Sequence, residues 1–172
     1  MATANRPGFT IDKGLNQTWE ATWVVASGAV ATIGTGSPTK LVTADASIAG
    51  AVVPMVDGDG SVTAMRFTGM AKTISTDTAA AAGTVDSYYP VPGLVYRGGC
   101  KVSTTLNTQA KINALMGVRV LFDLTGTTWT VDAAATDALV NCVCVVGGIP
   151  ATNECLFVYS PKGTICDTST SM

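Results

Sequence analysis

Turn-forming residues interrupt this chain so often that few segments are long enough to be helices. It holds 18 glycines and 7 prolines in 172 residues. Between them, with Asp and Asn, lie short stretches in which apolar and polar residues alternate. Alternation at period two, bounded by turn residues, is the pattern of half-buried strands. Gln17 to Ala26 shows it well: Trp19, Ala21, Trp23 and Val25 share one face, and Thr18, Glu20 and Thr22 share the other.

The same reading extends along the chain. Gly50 to Val56 leads into Asp57-Gly58-Asp59-Gly60, and Ser61 to Phe67 follows, which predicts a hairpin. Pro54 puts its first strand at an edge or makes it irregular. Asp77 to Ala82 reads as a short helix, a loop or an edge strand. Leu94 to Arg97 and Cys100 to Thr104 read as strands flanking Gly98-Gly99. Val118 to Leu124 and Thr128 to Ala133 predict a hairpin around Thr125-Gly126-Thr127. In its first strand Val118, Val120, Phe122 and Leu124 share an apolar face, with Arg119 and Asp123 opposite. Ala138 to Val146 and Glu154 to Ser160 predict a second hairpin. One helix stands out, at about 107–116: Ile112, Leu115 and Met116 form its stripe, Thr105 or Asn107 caps its start, and Gly117 suits its end.

Roughly ten strands and one short helix predict a mainly β chain, an antiparallel β-barrel or sandwich. Residues 17–172 read as a single β-rich domain. Residues 1–16 read as an N-terminal arm, with Arg6, Pro7, Gly8 and Lys13 and little to bury.

Composition narrows the function. Only 13% of residues are charged, against roughly 25% in an average soluble domain. Yet 47% are hydrophobic, 6% are aromatic, and the mean hydropathy is +0.36. Such a chain either packs against partners or exposes mainly Thr and Ser hydroxyls and Gly backbone. It contains no histidine, which removes Ser-His-Asp and Cys-His catalysis, HExxH zinc sites and His pH switches. The net charge of −2 and a pI of about 4.8 leave no basic face for nucleic acid. No apolar run approaches the roughly 18 residues of a membrane span. The opening residues lack an apolar secretory core, so synthesis in the cytoplasm without export is expected.

The motifs that carry chemistry are weak. Asp57-Gly58-Asp59-Gly60-Ser61 opens like a calcium loop, but Val62 and Thr68 stand where Gly and Glu are required. Neither GxxxxGK[ST] nor GxGxxG occurs. Glu20, Asp57, Asp123 and Asp132 are carboxylates that a glycosidase could use, but sequence pairs none of them. The cysteines are Cys100, Cys142, Cys144, Cys155 and Cys166. Their odd number argues against a disulfide framework. They read as buried free thiols, with a metal or redox role, or structural disulfides, as the lesser alternatives. No metal, no cofactor and no enzymatic activity are expected.

Aromatic residues are the better candidates. Trp19 and Trp23 share one strand face, as core or subunit-interface packing or as a sugar platform. Tyr88-Tyr89-Pro90 forms a corner that either anchors an interface or closes the core.

The C-terminal stretch GVRVLFDLTGTTWTVDAAATDALVNCVCVVGGIPATNECLFVYSP resembles tailed-phage capsid decoration, or cement, proteins. The similar elements are Val118 to Phe122, Gly126 to Val131, Asp132 to Asp137 and Val140 to Val146. The stretches IAGAVVPMVDGDG and VPGLVYRGGCKVST share the same valine-glycine character. The longer N-terminal third and the cysteines depart from the smaller members. The resemblance implies a non-enzymatic virion protein on the capsid surface, a β-barrel that trimerises and clamps the major capsid protein. It makes Arg6, Pro7, Phe9 and Lys13 capsid-binding candidates, and Trp19, Trp23, Tyr88 and Tyr89 oligomer-interface candidates. A tail, fibre or host-binding β-module is the alternative.

Overall fold

Side chains of β2 (Glu20–Val25) turn alternately inward and outward, and this strand starts the first of two β-structures in the computed structural model. The structure describes residues 10–13, 20–27, 33–42, 50–56, 67–91, 94–102, 104–125, 128–133 and 143–159. Before β2 comes β1 (Thr10–Lys13). After it come β3 (Pro38–Leu41), β4 (Val52–Pro54), β5 (Phe67–Ala71) and β6 (Gly83–Tyr88). Strands 2 to 6 close a barrel in the order β2-β4-β3-β5-β6. Its longest ladder runs antiparallel from Glu20↔Tyr88 to Val25↔Gly83. A parallel contact, Val25↔Val52, completes the circle.

The interior of this barrel is small. Val25, Ile33, Val52, Ala71 and Val85 fill it, with Trp23 and Leu41 packed against them. Two buried threonines need polar partners there and supply them to each other. The Thr39 and Thr68 hydroxyls lie 2.7 Å apart, and Thr39 donates onward to the Gly69 carbonyl at 3.1 Å. Gly69 is itself obligatory: its φ is +137°, and a Cβ there would lie 2.1 Å from the Tyr88 carbonyl oxygen.

The remaining strands are β7 (Val95–Gly99), β8 (Arg119–Thr125), β9 (Thr128–Asp132), β10 (Val143–Ile149) and β11 (Glu154–Tyr159). With β1 they form a sheet in the order β1-β7-β11-β10-β8-β9. This sheet curls into a half-barrel, because β9 meets the chain again where it leaves β7. Cys100 bridges Val131 in parallel, and the Lys101 N–H donates to the Val131 carbonyl at 3.0 Å. One edge of this β7 segment is thus divided: Val95 to Arg97 pair with β1, and Cys100 and Lys101 meet β9.

An aromatic core fills the half-barrel. Tyr96, Phe122, Trp129, Phe157 and Tyr159 pack with Val120, Val131, Val143 and Val145. Phe67 and Met70 of β5 join this cluster, while Ala71 of the same strand faces the smaller one. Every residue of β5 is buried. It is the wall that the two β-structures share.

The helix α1 (Gln109–Leu115) links β7 to β8. Thr108 caps it, accepting from the Lys111 N–H at 3.4 Å, in place of the expected Thr105 or Asn107. Gly117 ends it at φ +80°, donating to the Val145 carbonyl at 2.8 Å. Ile112 is buried, but Met116 is 56% exposed. Met116 has already left helical geometry, at ψ 127°, so it drops out of the expected stripe.

The expected class, mainly β with one short helix, is the class adopted. Both C-terminal hairpins form, as β8–β9 and β10–β11. Except for Phe67, the second strand of the hairpin expected around Asp57 to Gly60 lies outside the described residues. β4 and β5 are not neighbours, because β3 lies between them and pairs with both. β7 runs through Gly98 and Gly99 instead of turning there, because both pair in register with Cys155 and Glu154. Of the three readings left open for residues 77–82, the loop is the one adopted, pinned by a Thr78–Ala81 turn and by the Thr76 hydroxyl, which accepts from the Thr84 N–H at 2.9 Å.

Candidate functional site

The aromatic candidates come together in part. Trp23 points toward the small barrel core, and its ring stacks on that of Tyr89, with centroids 6.5 Å apart and planes 14° from parallel. Both are half-buried. Tyr88, the adjacent residue, packs instead against the larger aromatic core. Successive residues of one corner therefore reach different cores, and the Tyr88-Tyr89 corner straddles the join. Trp19 lies outside the described residues, as do Arg6, Pro7 and Phe9. Lys13 ends β1, opposite Val95 of β7. The end of the expected arm is therefore a strand on its own chain's sheet.

The outer face of β2 is a polar stripe with one apolar exception. Glu20 pairs with Lys72 at 2.8 Å, and the Thr22 hydroxyl donates to Asp86 at 2.6 Å. Val24 continues that row and is 55% exposed. Period two places it with Glu20 and Thr22, so the sequence carried a signal for it. Val56, Ile74, Val102, Met116 and Val146 are also exposed.

One charge cluster is partly buried. Lys101 bridges Asp123 at 2.7 Å and Asp132 at 3.1 Å, tying the end of β7 to β8 and β9. Asp123 is 5% exposed and also accepts from the Thr125 hydroxyl at 2.6 Å. Burial pushes its carboxyl up, but the Lys101 ammonium and the Thr125 hydroxyl outweigh burial and hold it below the usual carboxylate range. Alternation placed Asp123 opposite the apolar face, but it is buried there and Lys101 compensates its charge. Glu20, the other described carboxylate of the glycosidase set, lies on the first barrel, paired with Lys72. Asp57, the calcium-like Asp57 to Ser61 turn, Cys142 and Cys166 lie outside the described residues.

Cys100, Cys144 and Cys155 are free thiols. Among the described residues no group of three or more His, Cys, Asp or Glu side chains is arranged to hold a metal ion, and no helix is long and apolar enough to cross a membrane. Comparison with family models, with curated proteins and with solved structures finds no match.

Proposed function

We propose that this chain is a structural virion protein, a decoration protein that binds the outside of a tailed-phage head and stabilises it. The observation that carries this reading is the C-terminal half. The stretch that resembles decoration proteins folds as two hairpins, β8–β9 and β10–β11, curled around one aromatic core. The low charge of the chain and its high apolar content support a role in packing against neighbours. In this reading the work is binding, not catalysis. The chain associates with itself as a homotrimer and contacts the major capsid protein. Weak contacts from each copy then add through avidity.

The test is a mass measurement joined to co-sedimentation with expanded, undecorated heads of the cognate capsid protein. A trimer that pellets saturably with heads is the expected result. A monomer that stays in the supernatant rejects the reading. Saturable binding to host cells by a chain that ignores heads would instead favour a tail or fibre module.

A further inference from the structure

Sulfur gathers at the seam of the half-barrel. Cys155 is fully buried on β11 and stands directly opposite Gly98 of β7. Gly98 has no side chain, so nothing from that position covers the Cys155 thiol. Cys100 lies two residues further on, and strand alternation returns its side chain to the face that Cys155 occupies. The ladder reaches this point, since the Cys100 N–H donates to the Asn153 carbonyl at 3.4 Å. The Cys155 thiol donates to the Leu156 carbonyl at 3.7 Å, and the ladder makes Cys100 its diagonal neighbour on that face. Their access differs: Cys100 is half-buried and Cys155 has no exposed surface. Cys144 on β10 stands opposite Val158, three residues along β11 from Cys155, and alternates with Val143 and Val145, which face the core.

We propose that Cys100 and Cys155 are a redox-active thiol pair, in which Cys100 exchanges with a low-molecular-weight disulfide such as oxidised glutathione and Cys155 resolves the product. In the first step the Cys100 thiolate attacks one sulfur of the small disulfide. Its S–S bond breaks, a Cys100 mixed disulfide forms, and one thiolate leaves. In the second step Cys155 gives up its proton and attacks the Cys100 sulfur. The second small thiolate leaves, and a Cys100–Cys155 disulfide remains. Two protein thiols are oxidised, one small disulfide is reduced to two thiols, and the protons end on those thiols.

The local electrostatics suit this order. The Cys155 side chain beside it holds the Cys100 thiol below its ordinary range against burial, which raises the share of the nucleophilic form. The Cys100 side chain and burial together push Cys155 up. Cys155 therefore stays a thiol until the Cys100 sulfur has reacted. The product would fasten β7 to β11 at the residue where β7 also meets β9.

The full-length chain is incubated with oxidised glutathione and mapped by non-reducing peptide mass spectrometry. A Cys100–Cys155 linked peptide, reversed by dithiothreitol, is expected. Cys155→Ala should stop at a glutathione adduct on Cys100. In the reduced wild type, iodoacetamide should label Cys100 before Cys144 and Cys155, and Cys155→Ala should move the half-maximal pH of that labelling upward. Folded protein in which Cys100 and Cys155 both stay free, or in which Cys100 pairs with another cysteine, overturns the proposal. An unchanged Cys100 labelling profile in a folded Cys155→Ala variant does the same. If that variant does not fold, the wild-type map decides alone.

Discussion

The ring of Phe67 stands 4.4 Å from that of Tyr159, centroid to centroid, in a tilted contact between the first barrel and the half-barrel. Phe67 also lies 6.0 Å from Phe122. One side chain of β5 thus enters the aromatic cluster of the other β-structure. Phe67→Ala removes that ring from a fully buried site, at a cost of about 3–5 kcal/mol. Urea unfolding should show a much lower midpoint, with Phe67→Leu in between. A midpoint within error of wild type would show that the contact carries no stability.

Gly69 and Gly50 separate steric demand from backbone demand. Both have positive φ, +137° and +86°, but a Cβ at 69 meets the Tyr88 carbonyl at 2.1 Å and one at 50 meets nothing within 4 Å. Gly50→Ala should therefore cost about 1–2 kcal/mol, the price of left-handed backbone alone. Gly69→Ala should prevent soluble expression or open the β5–β6 ladder, read by hydrogen exchange. Equal, mild effects at both positions would contradict the geometry.

Acid should weaken the seam in a way that depends on Lys101. Asp123 has a depressed folded pKa, caused by Lys101 and Thr125 against burial. Its contribution is present above the unfolded value of about 3.9 and is lost as pH falls through the folded one. Lys101→Met leaves a buried carboxylate without its cation. The variant should melt several degrees below wild type near neutral pH, and the gap should narrow as Asp123 protonates in acid. A gap that is constant across that range would mean that Lys101 acts only through packing.

The N-terminal segment can be divided by the pairing of β1 with β7. Removing residues 1–9 leaves Thr10–Lys13 on its sheet. That truncation should keep the thermal midpoint and weaken binding to heads, as measured by co-sedimentation. Removing residues 1–14 also strips a strand from β7 and should lower the midpoint. Full binding by the shorter truncation would exclude the segment containing Arg6, Pro7 and Phe9 as a capsid contact.

Tyr89 covers one face of Trp23. Tyr89→Ala should cost about 0.5–1.5 kcal/mol beyond its lost area and shift tryptophan emission to the red. If the stack also anchors a subunit contact, the solution mass should fall at the same time. An unchanged mass would confine the pair to the fold of one chain.

What the sequence revealed was local. The hairpins β8–β9 and β10–β11 could be read because strand, turn and returning strand are adjacent and alternate cleanly. The helix could be read for the same reason, to within a residue or two at each end. The first barrel could not. β3 comes between β4 and β5, and Val52 meets Val25 in parallel; pairings between distant segments leave no trace in local periodicity. Gly98 and Gly99 looked like a turn because glycine permits one, but a ladder partner overrode that preference. Among the candidate residues, the inward face of Trp23 was visible, while its partner Tyr89 belongs to another strand end. Asp123 looked solvated because Lys101, which neutralises it, lies outside its strand.

The burial of every residue in β5 has an evolutionary consequence. Phe67 and Met70 answer to one core and Ala71 to the other, with Thr68 held by a hydroxyl partner and Gly69 by a carbonyl. No position in the strand is available for neutral drift. A change of volume there is registered on both sides at once, so the two β-structures can diverge in sequence only by compensating each other across this strand.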